Sequence, residues 1–254
     1  MPKVIALAGK GGTGKTTTSA LLLKYLLEKK KTPVLLVDAD PNANLNELLG
    51  LQVGLTIGQV RKEMKGEIPA HISRDQFMEM KMHQSLIEET GFDLMVMGQP
   101  DGPGCYCAAN QFLSMAMDHL AANYQYILVD NEAGMEHLSR LNLTSIDHML
   151  VLSDPSARGL MTAGRIAEIT KPLNLKVNAK WLIVNRAPNP VPAALMVKIE
   201  QTVQEAQLPL AGIFHASDDL IEQELSGKSY LGLSHDMQVI QEAYAVFDTI
   251  FTSR

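Results

Sequence analysis

The residues most able to do chemistry stand in one glycine-rich segment near the amino terminus. The segment reads Gly9-Lys10-Gly11-Gly12-Thr13-Gly14-Lys15-Thr16-Thr17 and matches the pattern G-x-x-x-x-G-K-[ST]. Glycines let successive backbone N–H groups turn toward phosphate oxygens, and a helix starting near Lys15 adds its positive end. In this pattern Lys15 reaches the β- and γ-phosphates and the Thr16 hydroxyl ligates Mg²⁺. The segment therefore predicts a site for the phosphates of a nucleotide.

Lys10 adds a second positive charge inside this loop, at a position where the pattern imposes no choice. It could act on the phosphates within its own chain or reach across a dimer. The alternative is a solvated loop lysine with no ligand.

Two carboxylates follow the second apolar run, Leu35-Leu36-Val37-Asp38-Ala39-Asp40-Pro41. Residues two apart share one side of an extended chain. Hydrolysis of a nucleotide needs a group that orients the attacking water and others that hold the Mg²⁺ shell. Asp38 suits the magnesium shell and Asp40 suits the water. The alternative is a solvated strand end that happens to be rich in Asp.

A third carboxylate ends the apolar run Tyr126-Ile127-Leu128-Val129-Asp130. An apolar strand that ends in Asp is typical of the carboxylate that orders magnesium-bound water. Gly134 would let the backbone approach the γ-phosphate. Glu132 lies close to Asp130 in the chain and is a rival for part of the water's chemistry.

The run Trp181-Leu182-Ile183-Val184-Asn185-Arg186 ends in an amide. An amide offers both a donor and an acceptor, which suits an adenine edge. No N-K-x-D run of the guanine-binding kind occurs in the sequence, so we predict ATP rather than GTP. A strand-end turn would explain the same asparagine without a ligand.

The chain has two cysteines, Cys105 and Cys107, in a C-x-C unit before a predicted helix. A helix N-terminus favours thiolates, and four thiolates suit Zn²⁺, Ni²⁺ or an iron–sulfur cluster. One chain supplies two thiolates, whereas a two-fold dimer with both cysteines near its axis supplies four thiolates. Two cysteines that only pack remain an alternative, and a disulfide between them would close a strained ring.

The segment 10–17 resembles the deviant Walker A signature of the MinD/ParA/nitrogenase iron protein family of P-loop ATPases. The resemblance implies that Lys10 contacts the nucleotide of the partner subunit, so that two subunits enclose two ATP molecules. It assigns the water to Asp40, the aspartate before proline. It also implies that Asn185, with Arg186 beside it, contacts adenine.

The C-x-C unit, taken with the run Asp130-Asn131-Glu132-Ala133-Gly134-Met135-Glu136-His137-Leu138-Ser139-Arg140, resembles the CooC family. Members of that family are ATPases that mature nickel enzymes such as carbon monoxide dehydrogenase. The resemblance implies a homodimer that depends on nucleotide or metal, with Zn²⁺ or Ni²⁺ held between subunits by Cys105 and Cys107. A nickel enzyme would be the client.

The elements that must position these residues alternate between apolar runs and helical patterns. The predicted strands are Lys3–Ala8, Pro33–Asp38, Asp93–Met97, Tyr126–Asp130, His148–Leu152, Lys180–Asn185 and Leu210–His215. The predicted helices are Thr16–Glu28, Ala108–Asn123, Ala157–Thr170, Ala193–Ala206 and Asp236–Phe251. Buried strands alternating with helices predict an α/β domain, 1–254, with a mostly parallel sheet of about seven to eight strands and helices on both faces. Ligands of such sheets bind at the carboxyl ends of the strands.

Composition narrows the class of partner. The 254 residues carry a formal net charge of -6, with 46% hydrophobic and 20% charged residues. This balance argues against a nucleic-acid partner and against docking on anionic membranes. The apolar amino-terminal run is short and leads into the glycine loop, so we interpret it as a strand and expect a cytoplasmic protein.

Other features have plainer interpretations. Three methionines in the segment Met78–Met82 could relay a soft metal, although packing is the simpler explanation. His137 could couple the nucleotide to a dimer interface. The amphipathic carboxyl-terminal segment has an acidic polar face, so we expect it to pack on the sheet rather than on a membrane. The sequence thus predicts an ATP-hydrolysing nickel metallochaperone. An iron–sulfur carrier and a MinD/ParA-like partitioning switch are the alternatives.

Overall fold

The computed structural model describes residues 1–66, 68–69, 71–99, 105–132, 145–169 and 176–252, with the backbone alone at 105–107. Its strands belong to one sheet and are, in chain order, β1 Lys3–Gly9, β2 Val34–Asp38, β3 Leu86–Glu89, β4 Phe92–Val96, β5 Tyr126–Asp130, β6 Ser145–Ser153, β7 Lys176–Ala187 and β8 Leu210–His215.

The helices connect these strands or flank the sheet. They are α1 Lys15–Glu28, α2 Leu45–Leu49, α3 Ile57–Glu63, α4 Arg74–Gln84, α5 Cys105–Leu120, α6 Ala157–Ile169, α7 Ala193–Ala206, α8 Asp218–Ser226 and α9 Gln238–Thr252. Two short 3₁₀ turns lie at Ala121–Asn123 and Tyr230–Gly232.

The sheet has the strand order β3-β4-β2-β5-β1-β6-β7-β8, and its adjacent pairs are parallel except β3 with β4. The strands β2 and β5 are buried at every residue, as expected for central strands covered on both faces. The described part of the chain therefore forms an eight-stranded, mostly parallel α/β sheet, which confirms the predicted fold class.

Alternation along the strands builds two hydrophobic cores. In β1, Ala6 and Ala8 join the core formed with α3, α5, α6 and α7, while Ile5 and Leu7 join the core formed with α1, α2 and α9. Successive side chains of a strand point to opposite faces, so a continuous apolar run serves both layers.

The carboxyl-terminal helix α9 packs as expected. Its buried residues are Val239, Ile240, Ala243, Val246, Phe247 and Ile250, and they belong to the same core as α1. The apolar face of α9 is thus used within the fold. Within the described residues, no helix is both long and apolar enough to cross a membrane.

Most predicted elements are confirmed, with shifts at their ends. The strands Tyr126–Asp130 and Leu210–His215 and the helix Ala193–Ala206 have the predicted bounds. The largest changes are longer strands at β6 and β7, and α5, which begins at Cys105 rather than at Ala108. The extra residues of β6 and β7 pair with each other, Ser145 with Lys176. That pairing is a tertiary contact, and no pattern in the neighbouring sequence predicts it.

Five elements were missed, namely α2, α3, α4, β3 and α8. The α3 and α4 helices begin with capping boxes, at Thr56 with Gln59 and at Ser73 with Gln76, which the sequence displays. In α4, Met82 is buried and Met78 packs on the core, whereas Met80 is partly exposed. These contacts favour the packing interpretation of that segment.

Candidate active site

The glycine-rich loop joins the end of β1 to the start of α1. Gly12 and Gly14 have φ of 78° and 88°, in the left-handed region that favours glycine. At Gly14 a Cβ atom would collide with the amide nitrogen of Asn185. The loop conformation therefore requires glycine here for two reasons, backbone angle and close approach.

Lys15 begins α1 beneath the loop and is only 8% exposed. Its ammonium lies 3.5 Å from the carbonyl oxygens of both Gly9 and Lys10. Burial lowers the pKa of Lys15, and the nearby carboxylates of Asp130 and Asp40 oppose that effect. The Lys15 ammonium is thus placed beside the loop to receive a phosphate, whose negative charge would further favour the protonated amine.

The carbonyls on the far side of the loop are held by the end of β7. Asn185 Nδ2 donates to the Thr13 carbonyl at 2.8 Å, and Arg186 Nη1 donates to the Gly12 carbonyl at 3.2 Å. The Thr13 hydroxyl donates to the Lys10 carbonyl at 2.9 Å and closes the turn from within.

Asp38 and Asp130 end neighbouring strands and are paired in register. Both are 1% exposed. Asp38 accepts hydrogen bonds from the backbone N–H groups of Asp40 and Leu45, each at 3.1 Å. Burial, reinforced by the Asp130 carboxylate, raises the pKa of Asp38 to about 7 despite these donors. The tertiary structure thus brings together two acids that lie 92 positions apart in the chain.

Burial also raises the pKa of Asp130, to about 6, while the Thr16 hydroxyl and the Lys15 ammonium lower it in part. Within the part of the chain that the structure describes, Asp130 Oδ1 is buried and has no hydrogen-bond partner. Buried polar atoms are normally paired, so this carboxylate oxygen is suited to a cation or a water as its partner. Asp38, Asp130 and Thr16 fit the outer shell and ligand set of Mg²⁺ with a bound nucleotide.

Asp40 lies at the mouth of the site and is half-buried. Its Oδ1 accepts hydrogen bonds from the backbone N–H and the side-chain amide of Asn42, at 2.9 and 3.0 Å. This contact holds the carboxylate at the edge of the cleft. Its assignment to the attacking water stays a prediction.

An open cleft of about 790 Å³ runs past the loop. It is lined by Gly11, Gly12, Gly14, Lys15, Thr16, Thr17, Asp40, Asn42, Asn44, Glu47, Leu48, Glu132, Arg186, Glu224, Gly227, Lys228 and Tyr230. A smaller cavity of about 110 Å³ adjoins it and contains Asn185 together with Phe214, His215 and Ala216. The two spaces are adjacent, since Thr17, Arg186, Glu224 and Tyr230 line both.

Several lining residues were not predicted from the sequence, among them Glu224, Lys228 and Tyr230. Glu224 lies on α8, and the other two follow it. Ser217 caps α8 and Gly227 ends it, so the helix has recognisable boundaries. Its position over the cleft depends on β8 joining the sheet edge, which no motif records.

Lys10 is exposed and does not line the cleft of its own chain, although the other residues from Gly11 to Thr17 mostly do. Gly134 and His137 lie outside the described residues, as do the side chains of Cys105 and Cys107. Elsewhere in the described residues, no group of three or more His, Cys, Asp or Glu side chains is arranged to hold a metal.

Comparison with known proteins agrees with this geometry. Residues 4–230 match the family model described as the CobQ/CobB/MinD/ParA nucleotide-binding domain. The chain is 36% identical over 256 residues to an ATP-binding protein of Methanocaldococcus jannaschii, MJ0685, covering 99% of both chains. It is 26% identical to the carbon monoxide dehydrogenase accessory protein CooC of Rhodospirillum rubrum, covering 84% of this chain and 86% of that one.

Cell-division proteins are also similar. The septum site-determining protein MinD of Bacillus subtilis is 27% identical, covering 89% of this chain and 80% of that one. The solved structure of MinD with Mg-ADP from Pyrococcus horikoshii superposes with a TM-score of 0.72 at 19% identity, covering 99% and 97% of the two chains. The phosphate loop, the paired acids and the family match together show that the chain belongs to the CobQ/CobB/MinD/ParA family and is a P-loop ATPase.

Proposed function

We propose that this chain, acting as a single domain, is an ATP-hydrolysing, dimerising metallochaperone that helps insert nickel into carbon monoxide dehydrogenase or a related nickel enzyme. The observation that carries the proposal is the similarity to CooC over 84% of the chain, combined with the C-x-C unit at 105 and 107. The cargo metal, nickel or zinc, is distinct from the Mg²⁺ that accompanies ATP.

The placement of the cysteines in the fold supports a link between metal and nucleotide. Val96, which ends β4, is in register with Asp38 at the carboxyl edge of the sheet. The α5 helix, which begins at Cys105, follows that strand after a short connection. The C-x-C unit therefore lies in the chain just after the strand next to the one that carries Asp38.

The exposure of Lys10 supports the dimer. An exposed lysine that does not line the cleft of its own chain is available to a second subunit, where it would contact the partner's phosphates. ATP would then favour a closed dimer, because its phosphates offset the charge of the two lysines. Closure would bring the two C-x-C units toward one axis, so that four thiolates could share one metal ion.

Within each subunit, different residues would have different roles in ATP hydrolysis. Bound Mg²⁺ would draw charge from the β- and γ-phosphates. Thr16, Asp38 and Asp130 would hold its ligands and waters, Lys15 would neutralise the phosphoryl oxygens, and Asp40 would orient the attacking water. Loss of the γ-phosphate would weaken the closed dimer and release the metal to the client.

Helical geometry sets one condition on the metal site. The backbone is helical from residue 105, and positions two residues apart lie about 200° apart around a regular helix axis. The proposal therefore requires the first turn of α5 to rearrange when the cargo metal binds.

Metal stoichiometry tests the proposal. The protein is purified without oxygen, loaded with Ni²⁺ or Zn²⁺, and its mass in solution is measured without nucleotide, with ADP and with ATP. We expect one metal ion per dimer in the wild type and none in Cys105→Ser or Cys107→Ser. The matched control is Met115→Leu, which removes an exposed sulfur, 49% exposed, from the same helix.

Each alternative result has a clear meaning. Metal content at the wild-type level in both serine variants would refute the proposed site, and a monomer under every condition would refute the shared metal. Brown protein with visible absorption after anaerobic purification would favour an iron–sulfur carrier. In Lys10→Ala we expect each subunit to bind ATP while the ATP-dependent dimer and its hydrolysis are lost.

A positioning switch is the second candidate, because MinD of Bacillus subtilis is 27% identical over 89% of the chain. The burial of the apolar face of α9 and the net charge of -6 do not favour attachment to anionic membranes through that helix. Sedimentation with anionic vesicles, or salt-sensitive binding to duplex DNA, in the ATP state would support this candidate over the metallochaperone.

A further inference from the structure

We infer that Glu242 of α9 is a positioning residue for the base of the nucleotide, because it fixes the end of β8 beside the small cavity. That cavity is lined by the last residues of β8, Phe214 and His215, and by Ala216. Glu242 lies on the other side of this wall, in a cavity of about 260 Å³ that His215 and Ala216 also line. The inference concerns ATP binding alone and is independent of the cargo metal.

The small cavity has the character of a base site. Its walls include the apolar side chains of Leu21, Phe214, Leu220 and Val239, whereas the larger cleft is lined mainly by glycines and by charged or polar side chains. Ligand sites are mostly apolar, with a few polar groups that fix orientation. With its phosphates held at the loop, a bound nucleotide would therefore place its base in the small cavity, and the inference depends on this placement.

The end of β8 receives little support from the sheet. In the described part of the sheet β8 is the last strand, and it pairs with β7. The register shifts between Val184 and Ala187, where two residues of β7 stand opposite the single residue Phe214. An extra residue in one strand disrupts the ladder locally. The wall of the small cavity thus lies where the strand pairing is irregular.

Glu242 supplies hydrogen bonds at this irregular position. Its Oε2 accepts the backbone N–H of His215 at 3.0 Å, and its Oε1 lies 2.8 Å from the ring Nδ1 of His215. Oε1 also accepts the Gln238 amide at 2.7 Å, which holds the carboxylate in place on its own helix. Burial by itself would raise the pKa of Glu242, but the bonds from His215 and Gln238 lower it overall. The end of β8 is therefore held by a charged acceptor, which forms stronger hydrogen bonds than a neutral one.

Close packing sets the distance between α9 and β8. Val246 lies one helical turn after Glu242, so the two side chains share a face of α9. A Cβ at Gly212 of β8 would collide with Val246, so this glycine lets the helix approach the strand closely. Glu242 thus reaches His215 from a helix that packs directly on the strand, and α9 becomes part of the support of the base end.

This role makes a distinctive prediction about ligands without a base. A residue that positions the wall of the base cavity affects the binding of ATP and does not affect the binding of phosphates alone. A residue that only stabilises the fold affects both. Magnesium tripolyphosphate has the three phosphates of ATP and no adenosine, so it separates the two roles.

The experiment is calorimetric titration of the full chain with MgATP and with magnesium tripolyphosphate. We expect Glu242→Ala to weaken MgATP binding by about three- to tenfold, which corresponds to the loss of one hydrogen bond, and to leave tripolyphosphate binding within about twofold of the wild type. Glu242→Gln keeps one acceptor for the His215 N–H, so it should weaken MgATP binding less. The matched control is Gln241→Ala, an exposed neighbour whose amide donates to the His235 carbonyl and not to β8.

Two outcomes overturn the inference. A wild-type affinity of Glu242→Ala for MgATP would show that the carboxylate does not position the base. An equal loss of affinity for MgATP and for tripolyphosphate would show that Glu242 acts on the loop or on the whole fold. If urea unfolding shows that Glu242→Ala folds poorly, Glu242→Gln decides the question by the same comparison, and an equal effect on both ligands, or none, refutes the role.

Discussion

The buried acids at the floor of the site should make the nucleotide-free protein less stable as the pH rises. Asp38 is 1% exposed, and burial beside the Asp130 carboxylate raises its pKa to about 7. In the unfolded chain the same group titrates near its ordinary value, about 3.9. We therefore expect the stability of Asp38→Asn relative to that of the nucleotide-free wild type to increase from pH 5 to pH 8.

The sign follows from proton binding. Between the unfolded and folded pKa values, the folded chain keeps a proton on Asp38 that the unfolded chain has lost. Stability therefore falls as the pH rises through this window and levels off above pH 7. With 1.36 kcal/mol for each pKa unit, Asp38 alone lowers the free energy of unfolding by about 2–3 kcal/mol between pH 5 and pH 8. Asparagine has no proton to lose, so it removes this dependence. Its Nδ2 cannot accept one of the two backbone N–H bonds, and that loss is the same at both pH values.

The assay is urea unfolding of the nucleotide-free wild type and of Asp38→Asn at pH 5 and pH 8. Subtracting the free energies of unfolding of the two proteins removes the contributions of the histidines and of the other acids. It should grow by about 2–3 kcal/mol toward pH 8, whereas the exposed control Asp118→Asn should show no comparable growth. A difference that stays constant or shrinks with pH would show that burial does not hold the proton on Asp38.

Three further substitutions test the packing and the loop. Gly14→Ala should weaken ATP binding at least about tenfold, because the new Cβ would displace the Asn185 amide and a φ of 88° disfavours alanine. Titration calorimetry measures this effect, and an unchanged affinity would contradict the loop geometry. Lys24→Met should lower the free energy of unfolding in urea by about 1–3 kcal/mol, because the buried ammonium donates to Glu28 at 2.6 Å and to the Leu231 carbonyl at 3.0 Å. A stability equal to that of the wild type would show that these contacts contribute nothing. Phe247→Ala should lower the free energy of unfolding by about 3–5 kcal/mol, because the ring is fully buried between α1 and the sheet. A decrease below about 1 kcal/mol would mean that the core closes around the cavity.

Local signals in the sequence were enough to predict the phosphate loop and most of the sheet. The loop depends on glycine spacing and on the strand and helix that flank it, all within about 25 residues of the chain. The central strands are continuous apolar runs because both of their faces are covered, so their bounds were predicted closely. The family assignment followed from the same segment and is confirmed by the match to residues 4–230.

Edges of the sheet were harder to predict. The β3 strand pairs antiparallel with β4, and its residues are intermediate or exposed, so it lacks the apolar run of a central strand. The α8 helix buries none of its residues, and its position over the cleft depends on where β8 is placed. Weakly buried elements carry little hydrophobic periodicity, and sequence patterns depend on that periodicity.

The sequence by itself determined that this protein binds nucleotide phosphates and that its acids follow apolar strands. Only the tertiary structure decided which groups act on each other. It paired Asp38 with Asp130 by placing β2 beside β5. Burial raises the pKa of both acids, and the Asp130 carboxylate raises that of Asp38 further. It also brought Asn185 against the phosphate loop, where the amide meets the Thr13 carbonyl. Such contacts join residues distant in the chain, because strand order in a parallel sheet is set by crossover connections and not by sequence neighbourhood.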